Sequence, residues 1–304
     1  MPLISVIIPT YNPNINRLNQ TLLGLKYQTL PLTDWELIII DNNSSAPFEN
    51  QIALSWHPMS KVVKEPRQGL SYARLRGFYE ATGKIIVMVD DDNILDPNYL
   101  IECLEIFQSN ELIGAVGGKS IPLFEGNPPI WLSEFYGNLA LRDLGDHTQI
   151  ARWENKYPDC SPIGAGMAVR KIALEKYIAK LENSNNQITD RIGSSLSSGG
   201  DNDIVIEILK ASWSVGYFPQ LVLQHIISEN RTKSKYLGQL VHDINISWIQ
   251  LLNQHQICPW ASIPKWTLPL RKFKAYFLIK PWLNEPNYIK WRSACGHYKG
   301  LATI

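Results

Sequence analysis

The sequence predicts an α/β domain whose central sheet is mostly parallel and covered by helices on both faces. One observation is an apolar strand at residues 84–89 that ends abruptly in three carboxylates. Another is a pair of further Ile-rich strands, residues 5–9 and 36–41, that also end in polar residues. Continuous apolar runs of this kind are typical of interior strands of parallel sheets. Ligands of open α/β sheets bind beyond the carboxyl ends of such strands, so these polar ends mark a candidate site.

Strand and helix signals alternate through the first part of the chain, as repeated βαβ units require. The predicted strands cover residues 3–9, 36–41, 61–64, 84–89, 113–118 and 221–224. The predicted helices cover residues 14–28, 71–82, 98–108 and 205–210, with one more after Pro47. Beyond Pro122 the pattern loosens into Gly, Pro and aromatic residues, and the polar, Ser/Gly-rich residues 183–200 predict a loop.

Composition indicates an enzyme-sized chain with an unusual C-terminal segment. The 304 residues are 45% apolar and can bury a substantial core. No run of 18 apolar residues is present, so we expect a cytoplasmic protein. Residues 231–304 hold eleven basic and two acidic residues, a net charge of +9, whereas the rest of the chain carries −8.

The same segment contains five of the ten tryptophans. Basic residues mixed with aromatic ones are typical of segments that lie at an anionic membrane surface, which would place the protein peripherally on the inner face of the plasma membrane. The alternative is a helical pair that packs its aromatic residues on the rest of the chain and leaves the basic ones solvated. No nucleic-acid recognition motif accompanies this composition, so a nucleic-acid partner is not expected.

The three carboxylates that follow the apolar strand predict a cation site. In an extended chain Asp90 and Asp92 lie on one side and Asp91 on the other. Mg²⁺ or Mn²⁺ held by one or two carboxylates, with water and phosphate oxygens completing the shell, is the usual arrangement beside a diphosphate. The alternative is an acidic turn before a helix, because Asp96 and Pro97 also form a plausible helix start.

The motifs PTYN at residues 9–12, DNNS at 41–44, GLSYAR at 69–74 and DDD at 90–92 occur in this order, three of them directly after a predicted strand. In this order and spacing they resemble the family 2 nucleotide-sugar glycosyltransferases of the bacterial surface-polysaccharide type, over about residues 3–230. The resemblance implies a GT-A fold with a Rossmann-like sheet. It also implies inverting transfer of a sugar from a nucleotide-sugar donor, with a preference for UDP-sugars, to a hydroxyl of a saccharide acceptor that we expect to be lipid-linked.

The resemblance assigns the donor side of the site. Asp92 is expected to contact the metal directly, with Asp90 nearer the ribose and His225 as a further ligand, although a lone histidine is ordinarily structural. Gly69 would let backbone approach the phosphates, and Arg67 and Arg74 would neutralise them unless they are ordinary surface arginines. The donor-binding set is Pro9, Thr10, Tyr11, Asn12, Asp41, Arg67, Gly69, Arg74, Asp90 and Asp91.

Transfer to a hydroxyl also needs a general base, because a positioned carboxylate must take the proton as the bond forms. Residues 199–204 resemble the family motif Gly-Glu-Asp-x-Asp/Glu-Leu at a helix start, in which Asp201 matches the base. Gly200 stands where the family commonly has Glu, and a plain helix N-cap is the alternative role for Asp201. Asp203 would support the site or cap the helix. The acceptor-side set is Trp131, Gly164, Gly166, Gly200 and Asp203.

The expected organisation is a nucleotide-sugar-binding half at residues 1–121, an acceptor-binding and catalytic half at 122–230, and a helical extension at 231–304. Two other functions remain open. A nucleotidyltransferase would carry a Gly-rich basic loop after the first strand, where PTYN stands instead. A non-catalytic scaffold is disfavoured by Asp92 and Asp201, and a processive synthase by the absence of membrane spans and of a Gln-x-x-Arg-Trp motif.

Overall fold

The computed structural model describes residues 1–183 and 199–304, so most of the loop predicted at residues 183–200 lies outside the described residues. The strands are β1 (Ile4–Thr10), β2 (Trp35–Asp41), β3 (Ser60–Lys64), β4 (Ile85–Met88), β5 (Asn93–Leu95), β6 (Ile113–Phe124), β7 (Gln149–Ala151), β8 (Ala168–Arg170) and β9 (Ser214–Ile227). The helices are α1 (Ile15–Lys26), α2 (Leu70–Glu80), α3 (Tyr99–Ser109), α4 (Glu175–Asn183), α5 (Gly200–Lys210), α6 (Ser234–Gln254), α7 (Leu268–Ile279) and α8 (Glu285–Leu301).

Within the described residues the strands form one nine-stranded sheet in the order β3-β2-β1-β4-β8-β6-β9-β5, with β7 paired to β9. β3, β2, β1 and β4 are mutually parallel. β8 lies antiparallel between β4 and β6, so β6 still runs in the direction of β4. The predicted α/β class with a mostly parallel sheet is therefore confirmed, and the three-residue strands β5, β7 and β8 are the strands that the βαβ pattern did not indicate.

Both faces of the sheet are covered, as the apolar runs predict. Alternate residues of β1 enter different cores: Ile4 and Val6 pack with side chains of α1 and α3, whereas Ile7 packs with side chains of α2 and α5. All seven residues of β1 and of β2 are buried. A strand enclosed on both faces has no solvent side, which is why its sequence shows no polar alternation.

The helix predicted after Pro47 is wrong. The structure has only a three-residue 3₁₀ turn, Glu49–Gln51, in this segment. Phe48 is buried in the core, and His57 precedes Pro58, a position that disfavours helical backbone. The segment therefore crosses to β3 as an irregular connection anchored by its aromatic residues.

The described residues group into two compact units. The first contains residues 1–123, 140–183 and 201–226, and the second contains residues 124–139, 199–200 and 227–304. The predicted helical extension is observed in the second unit as α6, α7 and α8. The three-part division at residues 121 and 230 concerns ligand binding and stays a prediction. Among the described residues, no helix is both long and apolar enough to cross a membrane.

Candidate active site

Three parallel strands deliver polar side chains to one edge of the sheet. Thr10 and Asp41 are register partners at the carboxyl ends of β1 and β2. The acidic run Asp90–Asp92 follows β4, the other neighbour of β1. Because these strands are parallel, their carboxyl ends meet at the same edge, where ligands of such sheets bind.

The loops after β1 and β2 are joined by hydrogen bonds. The Asn12 amide donates to Ser44 Oγ at 2.9 Å, and the Ser45 amide donates to Asn12 Oδ1 at 2.9 Å. The Ser44 amide donates to Asp41 Oδ1 at 2.9 Å, so this buried carboxylate shapes its own loop. Pro9 is buried within β1, while Tyr11 is exposed beside it. The structure thus brings together the five residues predicted to hold the donor base and ribose.

The side chain of Asp91 contacts Thr10 at the end of β1. Its Oδ2 accepts a hydrogen bond from the Thr10 hydroxyl. Burial, followed by the negative charges of Asp92 and Asp90, raises the pKa of Asp91 to about 7 despite this hydrogen bond. Such crowding of carboxylates disfavours their ionised forms unless a cation offsets the charge. The electrostatics of the acidic run therefore suit a bound divalent ion.

Asp92 and His225 come together although they lie far apart in the sequence. Asn93 and His225 are register partners in the antiparallel pair of β5 and β9, and the Ile226 amide donates to the Asp92 carbonyl at 2.8 Å. His225 Nε2 lies 3.4 Å from Asp92 Oδ1, and Asn93 Nδ2 donates to the same oxygen at 3.2 Å. A carboxylate beside a buried imidazole is a donor set that suits Mn²⁺, and water and phosphate oxygens suit it as further ligands. The residues present therefore fit the predicted metal.

The loop that precedes α2 is organised by Asn42. Its Nδ2 donates to the Arg67 carbonyl at 2.7 Å, and its Oδ1 accepts from the Gly69 amide at 2.7 Å. Arg67 forms a bidentate ion pair with Glu65, with 2.8 and 3.2 Å between the bonded atoms. Its guanidinium also lies 4.7 Å above the Tyr72 ring. Arg67 and Gly69 are thus held in place, and the Glu65 carboxylate already offsets the charge of Arg67.

Arg74, Gly164 and Asp201 meet in the interior of the first unit. The Gly164 amide donates to Asp201 Oδ2 at 2.9 Å. A Cβ atom on Gly164 would lie 2.9 Å from both Arg74 Nη2 and Asp201 Oδ2, so a larger residue would displace one of these side chains. Arg74 is 4% exposed, which excludes the surface-arginine alternative. A predicted donor residue, a predicted acceptor contact and the predicted general base therefore share one small space.

Gly166 has a conformational reason for being glycine. Its φ of +74° lies in the left-handed region, and its carbonyl accepts a hydrogen bond from the Tyr99 hydroxyl at 2.7 Å. A Cβ atom there would meet Leu223 Cδ2 at 2.5 Å. The segment from Gly164 to Gly166 is therefore held against β9 and α3, close to Asp201. An acceptor contact at Gly166 stays a prediction.

The first turn of α5 presents three polar residues to three different neighbours. Asp201 accepts from Gly164, outside the helix, which does not match a plain N-cap. The Tyr157 hydroxyl donates to Asn202 Oδ1 at 2.7 Å. Asp203 is buried and accepts from Lys180 Nζ at 2.6 Å, which suits the supporting role predicted for it. Gly200 is buried at the start of the helix.

Trp131 belongs to the second unit, in a 3₁₀ segment that spans Ile130–Leu139. Its Nε1 donates to Glu285 Oε2 at 2.9 Å, and its ring packs edge-on against Phe135. The acceptor contact predicted for Trp131 stays a prediction.

Sequence reasoning missed Asn42, Tyr99 and Lys180, which position other residues of the site. Asn42 had a visible signal, because it is the second residue of the DNNS motif, of which only the acid was given a role. Tyr99 and Lys180 lie on helices, and no local pattern indicates that they reach Gly166 and Asp203. Their roles depend on contacts between distant parts of the chain.

The family comparison agrees with the geometry of this site. The model of the family described as glycosyl transferase family 2 matches residues 5–178. The chain belongs to glycosyl transferase family 2. The matched region contains the ends of β1, β2 and β4 together with Gly164 and Gly166, and the GT-A prediction is confirmed with it.

Curated relatives in the family are partial matches. The chain is 24% identical over 159 residues to a glucosyl-dolichyl phosphate glucuronosyltransferase of Haloferax volcanii, covering 49% of each chain. It is 32% identical over 126 residues to a dolichol-phosphate mannosyltransferase of Pyrococcus furiosus, covering 39% of this chain and 33% of the relative. It is 28% identical over 160 residues to the poly(ribitol-phosphate) β-N-acetylglucosaminyltransferase TarP of Staphylococcus aureus, covering 49% and 46%. The chain thus matches about half the length of these relatives, or less.

Solved structures share the fold over nearly the whole chain. TarS 1-349 of S. aureus in complex with UDP-GlcNAc superposes with a TM-score of 0.56 at 15% identity, covering 100% of this chain and 91% of that one. The mannosyltransferase PcManGT of Pyrobaculum calidifontis, in complex with GDP-Man and Mn²⁺, gives a TM-score of 0.56 at 19% identity, covering 97% and 74%. At these identities the likeness shows the fold alone.

Proposed function

We propose that the protein is an inverting, metal-dependent glycosyltransferase that moves a sugar from a nucleoside-diphosphate sugar, preferably a UDP-sugar, to a hydroxyl of a saccharide acceptor. The observation that carries the proposal is the contact of Asp92 with His225 at 3.4 Å, directly after the acidic strand end. This contact makes a metal-suited pair at the edge of the sheet where Thr10, Asp41 and Asp91 converge. A nucleotide-sugar diphosphate bound together with a divalent cation is a ligand whose charge suits that edge.

Each side of the proposed reaction has its own residues. When bound, a divalent ion held by Asp92, His225 and Asp90 would offset the charge that develops on the departing diphosphate. The loops with Pro9, Tyr11, Asn12 and Asp41 receive the base and ribose.

On the acceptor side, Asp201 takes the proton of the attacking hydroxyl as the new bond forms. The Gly164 amide fixes one oxygen of this carboxylate, and buried Arg74 brings a positive charge to the same space. With a single base opposite a leaving diphosphate, direct displacement inverts the anomeric centre. Residues 164–166 are the proposed acceptor contacts in this unit.

The names of the relatives support the proposed acceptor class. Two of these relatives are named for dolichyl or dolichol phosphate, and TarP is named for poly(ribitol phosphate). We therefore place the reaction in surface-polysaccharide synthesis, on a lipid-linked saccharide at the inner face of the plasma membrane. The protein would be cytoplasmic and peripheral, with the anionic membrane surface as its partner and no nucleic acid.

A panel of nucleotide sugars, each incubated with Mn²⁺, with Mg²⁺ and with excess chelator, tests the proposal. We expect slow metal-dependent hydrolysis of one donor, with release of its nucleoside diphosphate. Full turnover in chelator would contradict the metal role. Exchange of pyrophosphate into the donor would favour a nucleotidyltransferase, and nucleotide binding with no turnover of any donor would favour a scaffold.

A further inference from the structure

The segment of residues 265–283, which contains α7, combines positive charge with large apolar side chains. It holds five basic residues and no acidic one: Lys265, Arg271, Lys272, Lys274 and Lys280. Its apolar and aromatic side chains are mostly exposed, and this is the reverse of what a helix packed into a globular core shows. This arrangement suggests that the exposed apolar side chains bind something other than the described residues.

The exposed side of α7 is an apolar ridge. Ala275 is 4% exposed and marks the face that packs inward, whereas Leu270, Phe273 and Phe277 are 65%, 65% and 53% exposed. At about 100° per residue these three side chains fall within roughly 60° of one another, opposite Ala275. The rings of Phe273 and Phe277 lie 4.8 Å apart, so the ridge is continuous.

Tryptophans lie at both ends of the ridge. Trp266 is 74% exposed just before α7, and Trp282 is exposed just after it, 6.0 Å from the ring of Phe277. Lys274 and Arg271 lie along one flank of the ridge, and exposed Lys280 caps the helix. An apolar ridge with a basic flank and with Trp at its ends is typical of helices that lie in a membrane interface.

We propose that the apolar ridge of α7 inserts into the interfacial region of an anionic bilayer while the basic residues on its flank and at its C-terminal end contact lipid phosphates. This deepens the proposed function, since it rests on the lipid-linked acceptor proposed above and names the surface that brings the enzyme to it. A protein partner is less suited, because the cores of protein–protein interfaces are depleted in charge whereas lysines are interleaved with this ridge. In an anionic bilayer the headgroups would contact the basic residues, and the acyl chains below them would contact the apolar ridge.

Flotation of the full chain with vesicles tests the proposal. We expect binding to vesicles of phosphatidylcholine with phosphatidylglycerol, weaker binding at high salt, and little binding to phosphatidylcholine alone. Each basic residue near an anionic surface contributes about fivefold in partitioning, so Lys274→Glu with Lys280→Glu should weaken binding by more than about twentyfold. Phe273→Ser with Phe277→Ser should abolish insertion, measured as loss of tryptophan quenching by brominated lipid.

Matched controls are Lys26→Glu with Lys176→Glu, which makes the same charge change, and Ile172→Ser, which changes an exposed apolar residue elsewhere.

The outcomes separate the alternatives. Equal binding to neutral vesicles, or equal loss in the controls and the α7 variants, would overturn the proposal. Concentration-dependent self-association that the Phe variants abolish, without vesicle binding, would overturn it in favour of a second copy of this chain. Donor hydrolysis is measured on the same variants: vesicle binding without any donor turnover would contradict the proposed function and leave the membrane surface standing.

Discussion

At the scale of residues, Asp92 carries the metal hypothesis because its carboxylate is the one that contacts His225. Asp92→Asn keeps the shape of the side chain but removes its charge. We expect donor turnover to fall by about a thousandfold. The Asp92 carboxylate would hold the cation that offsets the charge of the departing diphosphate, and this charge develops mainly in the transition state. His225→Asn should cause a smaller loss in the same direction. Steady-state turnover in Mn²⁺ is the measurement, with Asp159→Asn, an exposed carboxylate elsewhere, as the control. Parental turnover in Asp92→Asn would exclude this residue as a ligand.

Asp201 and Asp203 lie two residues apart in the first turn of α5 but have different surroundings, so their variants should differ. Asp201→Asn loses proton acceptance, and transfer should fall by about a hundredfold or more while nucleotide affinity changes little. Asp203→Asn leaves Lys180 with a weakened buried ion pair, and we expect about 1–3 kcal/mol of lost stability instead. Transfer rates and urea unfolding of both variants check the contrast. If Asp203→Asn lost transfer and Asp201→Asn kept it, the general base would have to be reassigned.

At the scale of elements, Glu36 joins β2 to β1 and to the turn before β4. Its Oε1 accepts from Ser5 Oγ at 2.6 Å and from the Thr82 amide and hydroxyl at 2.6 and 2.7 Å. Burial alone would raise the pKa of Glu36, but the hydrogen bonds from Ser5 and Thr82 hold it below the ordinary value of 4.5. A carboxylate with a lowered pKa stabilises the fold above the pKa of the unfolded chain, and this contribution is lost as the pH falls through the lower folded value.

Glu36→Gln should therefore destabilise the protein by about 1–3 kcal/mol at neutral pH. The difference from the parent should shrink as the pH falls below about 4.5, because the carboxylate of the unfolded parent is protonated first and the folded one follows at its lower pKa. Urea unfolding across this pH range is the measurement, with exposed Glu175→Gln as the control. A destabilisation that stays constant down to low pH would mean that packing, rather than charge, accounts for the effect.

The elements that the sequence predicted well are those with strong local signals. β1, β2 and β4 are buried on both faces, and α1 begins after Asn14, whose side chain accepts from the Asn16 and Arg17 amides. β8, which lies between β4 and β6 in the sheet, was missed because a strand of three residues is too short to show a periodic pattern in the sequence. Their strand conformation depends on two neighbours formed much earlier in the chain. The helix assigned after Pro47 failed because tertiary anchoring of Phe48 outweighs local preference.

At the scale of the whole molecule, the residue types of the site could be predicted from four motifs, but their contacts could not. The meeting of Asp92 with His225 requires the pairing of β5 with β9, and that of Arg74 with Asp201 requires α2 and α5 to pack on one face of the sheet. Neither pairing leaves a trace in local sequence. The exposed ridge of α7 was likewise invisible, since composition alone allowed its tryptophans to be either buried or exposed.

The measurement that tests the central claim most directly is the stabilisation of the protein by UDP, followed by thermal unfolding with Mn²⁺ and with chelator. A ligand that binds only the folded chain stabilises it by RT ln(1 + L/Kd), where L is the free ligand concentration, and so raises the unfolding temperature. We predict that UDP raises the unfolding temperature only when Mn²⁺ is present, and that Asp92→Asn loses this shift whereas Asp201→Asn keeps it. An equal shift in chelator and in Asp92→Asn would contradict a metal-bound diphosphate at the end of β4.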